Sequence, residues 1–251
     1  MDKELLDYLL KEEEYAFTGW DFSYLNNRMT KEMLPWSYND IVNEYLIDSH
    51  NILDMGTGGG ELLLSFKHPY QNTSVTEAYP LNIKLCQEKL TPLGITVYPI
   101  LDDDKLINIG DNLFDIVLNH HESYDIKEVK RVLKDNGLFI TQQVGAYNNY
   151  DLISYFDENY KTKFPDVTLD KAIKSLEENG FEIIYKNQYF PKNHFLDLGA
   201  LVYFAKIIKW EFVDFSVERY IDKLEKLNEI LKNKGYIEST EDRFMIVAKK
   251  K

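Results

Sequence analysis

The sequence predicts an α/β fold: a doubly wound, mostly parallel seven-stranded sheet with an antiparallel edge strand and helices on both faces. Three observations carry this expectation. From residue 51 onward, short apolar or β-branched runs alternate with helical stretches. The first of those runs ends in a glycine-rich turn that opens a helix. After the alternation ends, further strand-like runs near the C-terminus supply the antiparallel edge.

The elements follow in order. Leu5, Leu6, Leu9 and Leu10 recur at helical spacing, and a charge run from Lys11 to Glu14 closes that first helix. Residues 15–40 are irregular and aromatic, with Tyr15, Phe17, Trp20, Phe22, Tyr24, Trp36 and Tyr38. They read either as a packed extension or as a cap over a ligand pocket, where aromatics supply apolar area with a polar handle. Residues 51–55 form a buried strand ending in glycine, and a helix starts at Glu61. A strand at 74–78 precedes a helix at 81–90, which holds the single cysteine, Cys86, as a small core residue. Strands at 95–100 and 115–119 come next, then a helix at 127–134 ended by Asp135-Asn136-Gly137, then a strand at 137–144. Thr168 caps a helix that Gly180 closes. Runs at 181–185, 201–207 and 243–248 are read as strands, and 217–233 as a helix. The expected organisation is a capping extension over 1–44 and a main domain over 45–251, with 145–166 and 186–212 as lid segments.

Composition narrows the function. Of 251 residues, 44% are hydrophobic, so the chain can bury a sizeable core. The net charge of −13 disfavours a nucleic-acid backbone or an anionic membrane surface as partner. One cysteine allows neither an intramolecular disulfide nor a cysteine-based zinc site. Met1-Asp2-Lys3-Glu4 lacks the layout of a signal peptide, and no apolar run approaches the ~18 residues of a spanning helix. The expectation is a cytoplasmic protein, monomeric or homodimeric, without a membrane partner.

The informative stretch is Asn51-Ile-Leu-Asp54-Met-Gly56-Thr57-Gly58-Gly-Gly60-Glu61. A strand feeding a glycine turn and then a helix binds nucleotides at the carboxyl ends of parallel strands. Glu61-Leu62 stands where a P-loop needs Gly-Lys-Ser/Thr. The dinucleotide pattern Gly-x-Gly-x-x-Gly, started at Gly56, ends on Glu61, whose carboxylate would face a pyrophosphate.

What remains, Asp54-x-Gly56-x-Gly58-x-Gly60, resembles motif I of the class I S-adenosylmethionine-dependent methyltransferases. Together with the later strands, the resemblance covers about residues 45–145. It implies a Rossmann-like fold and a turn that wraps the amino-acid part of S-adenosylmethionine, with Asp54, Gly56, Thr57, Gly58 and Gly60 as cofactor residues. It places Glu77, beside Ala78 at the end of the second strand, on both ribose hydroxyls. It places Asp103, or its neighbour Asp102, on the adenine amino group, and Asn119 at the cofactor from the fourth strand. A cationic sulfonium and ammonium tolerate these carboxylates where a pyrophosphate would not.

The reacting end falls after the fourth strand, at Asn119-His120-His121-Glu122. A neutral histidine is a plausible general base, its ordinary pKa being about 6.5, so His121 and Glu122 are the catalytic candidates. His120 and His121, adjacent on an extended segment, are expected to point apart, and no metal site is expected. Trp36, Tyr38 and one of Gln142 and Gln143, taken as Gln143, are the substrate candidates. The Asn/Asp-Pro-Pro-Tyr motif of amino-group methyltransferases is absent. The resulting expectation is in-line methyl transfer to a small molecule. An RNA or tRNA methyltransferase and a non-catalytic module binding S-adenosylmethionine or S-adenosylhomocysteine are the alternatives.

Overall fold

In the computed structural model the described residues are 1–17, 22–100 and 108–251. Along them the strands are β1 (Met29–Lys31), β2 (Ile52–Met55), β3 (Thr73–Glu77), β4 (Thr96–Pro99), β5 (Phe114–His120), β6 (Leu133–Val144), β7 (Phe181–Tyr189), β8 (Lys192–Phe195), β9 (Ile237–Thr240) and β10 (Arg243–Lys250). The α-helices are α1 (Lys3–Glu14), α2 (Tyr38–Tyr45), α3 (Glu61–Ser65), α4 (Pro80–Lys89), α5 (Ile126–Val132), α6 (Tyr150–Phe156), α7 (Leu169–Glu178), α8 (Leu198–Ile207) and α9 (Ile221–Lys234). They form two compact units. One is built from 1–34, 145–166 and 189–242, the other from 35–144, 167–188 and 243–251.

The second unit holds the seven-stranded sheet, in the order β4-β3-β2-β5-β6-β10-β7. Strands β2 to β6 pair in parallel, and β10 runs antiparallel to β6. Period-two alternation explains why both faces are covered. Leu53, Val117, Phe139, Phe244 and Ile246 share one buried cluster with Val129 and Val132 of α5 and Leu176 of α7. Ile52, Ile116, Leu118, Ile140, Met245 and Val247 share another with Val42 of α2, Leu63 of α3 and Cys86 of α4. The register sets Asn119 opposite both Met55 and Thr141, and His120 opposite Gln142. The carboxyl ends of β2, β5 and β6 are therefore level. That is where a sheet of this kind places its ligand.

The first unit carries the three-stranded antiparallel sheet β1-β8-β9 and the helices α1, α6, α8 and α9. Its core includes Leu9, Phe156, Phe195, Leu201, Phe204, Phe212 and Leu224. Arg28 donates to both carboxylate oxygens of Asp197, at 2.9 and 2.7 Å, and to Glu12 at 3.1 Å. A cavity of about 20 Å³ lined by Ile153, Phe156, Phe212 and Tyr220 has room for one water.

Several elements differ from the sequence expectation. Residues 134–137, read as a helix end and its turn, lie inside β6, and the sheet of β1, β8 and β9 was not read from the sequence. Residues 201–207, read as a strand, belong to α8. Leu198 through Ala205 are buried on every side of that helix, so no polar face marks its period. A short apolar run is then ambiguous between strand and helix. The sign that settles it lies before the run, where Asp197 accepts from Ala200 N–H as an N-cap. Among the described residues no helix is long and apolar enough to cross a membrane.

Candidate functional site

Between β2 and α3 the backbone enters the left-handed region at Gly56, Gly58 and Gly60, with φ of 65°, 62° and 77°. Gly56 is also a point of close approach. A Cβ there would lie 2.5 Å from Glu122 Cγ and 2.6 Å from its Oε2. The side chain of Glu122 therefore lies against the turn, which only glycine permits.

The turn's amides are used inside the protein. Gly56 N donates to Thr76 Oγ1 at 3.2 Å, and Thr57 N to the Thr76 carbonyl at 3.1 Å. Gly58 N donates to Glu77 Oε2 at 2.8 Å, and Gly60 N to the Thr57 carbonyl at 3.1 Å. The turn's carbonyls are braced as well. Cys86 Sγ donates to Gly58 O at 3.1 Å, and Lys89 Nζ to Gly59 O at 2.8 Å. A pyrophosphate needs a row of amides aimed outward, and these four aim elsewhere.

Three carboxylates surround the turn. Glu77, buried at the end of β3, accepts from Gly58 N, from Ala78 N at 2.9 Å and from Tyr79 N at 2.9 Å. Three of a carboxylate's roughly four acceptor sites are thus engaged by backbone. Asp54 is buried on β2, and burial, reinforced by the negative charge of Glu77, lifts its pKa from 3.8 to about 7. Tyr38, at the start of α2, is buried too. Burial and the nearby Asp54 charge hold its phenol well above 10. Glu122 is the third carboxylate, and its Oε1 accepts from Ser123 N and Oγ, both at 3.1 Å.

The carboxyl ends of β5 and β6 build the neighbouring part. Asn119 is fully buried, and its Oδ1 accepts from Thr141 Oγ1 at 3.0 Å and from Gln143 Nε2. Its Nδ2 has no partner among the described residues. Gln143 Nε2 also reaches the Glu122 carbonyl at 3.0 Å. Gln142, on the other face of β6, accepts from Trp36 Nε1 at 2.7 Å and places its Nε2 at 3.0 Å from His120 and 3.2 Å from His121. Both glutamines therefore touch the loop after β5, one through each face, where the sequence argument allowed only one.

His120 and His121 do not point apart, as an extended segment would require. His121 adopts φ of 65°, and the two rings stack with centroids 4.1 Å apart and planes 16° apart. The left-handed residue breaks the strand alternation and turns the second ring back beside the first. Burial, with the charge of Arg243 adding to it, pushes His120 down to about 4.

The structure thus brings together, within one unit, Asp54, Gly56, Thr57, Gly58, Gly60, Glu77, Ala78, Asn119, His121, Glu122, Trp36, Tyr38 and Gln143. Asp102 and Asp103 lie outside the described residues. Sequence reasoning missed the bracing residues Thr76, Cys86 and Lys89. Thr76 had a signal, its position beside Glu77 at a strand end facing the turn. Cys86 and Lys89 had none, because a helix that starts 20 residues beyond Gly60 announces no contact with the turn.

Comparisons with known proteins bear on the fold. No family model matches the chain. An uncharacterized protein of Methanocaldococcus jannaschii is 31% identical over 132 residues, 50% of this chain and 52% of that protein. The chain thus spans about half the length of the curated relative it matches. A candidate methyltransferase from Bacillus halodurans superposes with a TM-score of 0.57 at 17% identity, covering 85% of this chain and 98% of that one. The 4+2 cyclase SpnF superposes with a TM-score of 0.50 at 16% identity, covering 84% and 80%. The class that sheet order and turn define is therefore the Rossmann-like α/β fold. More narrowly, it is the fold of the class I S-adenosylmethionine-dependent methyltransferases. SpnF marks that fold as one that also carries other chemistry.

Proposed function

We propose that the chain is an S-adenosylmethionine-dependent methyltransferase acting on a small molecule. The carrying observation is the glycine turn itself, four of whose amides are consumed internally while the carboxylates of Asp54, Glu77 and Glu122 surround it. Such a site repels a pyrophosphate and favours a ligand bearing an ammonium and a sulfonium. The buried Asn119 Nδ2, lacking a partner among the described residues, supports a bound group with an acceptor at the end of β5.

When bound, the cofactor supplies an electrophilic methyl group on a cationic sulfur. The protein's part is then binding and orientation. Asp54 and Glu122 hold positive charge at the turn. Glu77 fixes the turn to β3 and offers its remaining acceptor site to the ribose. Asp102 and Asp103 keep their proposed adenine role. Trp36, Tyr38, His121 and Gln143 stand on the acceptor side, where positioning accounts for much of the rate. The charge of −13 supports a small molecule over RNA.

Titration calorimetry of S-adenosylmethionine and S-adenosylhomocysteine, with NAD and ATP as controls, tests the reading. Micromolar binding of the first two alone is the expected result. Binding of neither overturns the assignment.

A further inference from the structure

Gln142 joins three aromatic groups through one amide. Trp36 Nε1 meets its Oε1 at 2.7 Å, and its Nε2 meets the Nε2 atoms of His120 and His121 at 3.0 and 3.2 Å. An indole nitrogen only donates, so it must face the amide oxygen. Turned the other way, the amide would set its N–H groups against the indole N–H. The amide nitrogen also only donates, and it has two hydrogens, one for each ring. Both imidazole Nε2 atoms are therefore acceptors. Each ring is then neutral and carries its proton on Nδ1.

We propose that Trp36 and Gln142 are positioning residues that hold His120 and His121 as a neutral pair protonated on Nδ1, which meets a methyl acceptor as a hydrogen-bond donor and not as a base. The acceptor clause rests on the function proposed above; the protonation clause stands without it. The charged and titratable groups described around His120 agree. From α2, the Tyr38 ring packs 4.7 Å from His120, and from β10 Arg243 adds positive charge. Asp54 on β2 bears on Tyr38, and Glu122, next in the chain, turns its carboxylate to Gly56. Burial drives His120 away from its charged form.

The consequence concerns the acceptor's proton. With neither ring taking it, the acceptor atom reaches the site unprotonated or gives its proton to a carboxylate such as Glu122. The acceptor's lone pair forms the bond to the methyl carbon, the sulfur–methyl bond breaks toward sulfur, and no proton passes to either ring.

Long-range proton–nitrogen NMR of the histidine rings in the full chain tests this, with His120→Gln and His121→Gln assigning the signals. Both rings are expected to give the Nδ1–H pattern at pH 8, and His120 to keep it down to pH 5.5. Gln142→Glu should reverse the polarity and raise the titration of at least one ring by more than one pH unit. Trp36→Phe should give mixed tautomers, because the amide is then free to turn. An Nε2–H pattern in the wild type overturns the proposal. So do both variants titrating like the wild type while circular dichroism reports them folded. If the variants misfold, the wild-type pattern alone decides. The spectra need no cofactor, so absent cofactor binding beside an Nδ1–H pattern would remove the function and leave the pair.

Discussion

Two ends of one site meet the same desolvation and answer it differently. At the glycine turn, burial and a second carboxylate lift Asp54 to about 7. At the loop after β5, burial and Arg243 push His120 down to about 4. Each group moves toward its neutral form. The outcomes differ because the acid now titrates near neutrality, whereas the imidazole titrates far below it. A pH dependence measured between 5.5 and 8 therefore reports on the turn and not on His120. The partners differ as well. At the turn Glu77 holds three backbone amides, a fixed scaffold, whereas the imidazoles are held by side chains, Gln142 and, through it, Trp36.

The largest effect expected comes from Glu77→Ala, which tests the scaffold half of that contrast. Gly58, Ala78 and Tyr79 would lose the acceptor of their amides. Orphaned donors cost about 1–3 kcal/mol each, and water refilling the space recovers part of it. We expect roughly 3–5 kcal/mol lost in urea unfolding. We also expect cofactor binding weaker by about 1.5–3 kcal/mol in the protein that remains folded. An unchanged unfolding midpoint would mean that the turn is held by its other braces.

Asp54→Asn tests the titration half. In the wild type, the folded pKa of about 7 lies above the ordinary value of 3.8. The folded state then binds a proton that the unfolded chain has released. The stability Asp54 contributes is full below about pH 4 and is lost as pH rises through 7. The difference is on the order of 4 kcal/mol. The variant should lack that slope and be the more stable protein at pH 8. A cationic ligand should also bind the wild type more tightly as pH rises from 5 to 7, because binding favours the ionised acid. Parallel stability curves for the two proteins would place Asp54 outside the turn's electrostatics.

These distinctions bound what the sequence makes legible. The sheet was legible because residues 51–144 alternate at two periods, and glycines mark where the backbone must turn. Asp54, Glu77 and Asn119 were singled out by the resemblance to motif I and the strands after it, which sets a polar residue at or near each strand's carboxyl end. Helix α8 was not, because burial on all sides erases its period. The histidine pair was misread because a left-handed residue such as His121 carries no glycine to announce it. Gln142 appeared only as the alternative to Gln143. Its importance depends on Trp36, which lies 106 residues away and meets it only in the folded chain.

The smallest expected effect sharpens the comparison most, because Glu122 belongs to both ends. Its backbone follows His121 in the loop after β5, yet its carboxylate lies against Gly56. Gly56→Ala would add a Cβ to a residue at φ of 65°. The left-handed conformation alone costs about 1–2 kcal/mol. Displacing Glu122 adds a second contribution, which should shrink when Glu122 is already alanine and vanish when it is glycine, because the Cβ of residue 122 would itself lie 2.7 Å from the new one. A double-mutant cycle in urea unfolding should therefore return a coupling of about 1 kcal/mol between the two sites. Additive effects would mean that Glu122 does not cover the turn. The acid end would then consist of Asp54 and Glu77 alone, and the charge facing a cationic ligand would come from β2 and β3, not from the loop that carries the imidazoles.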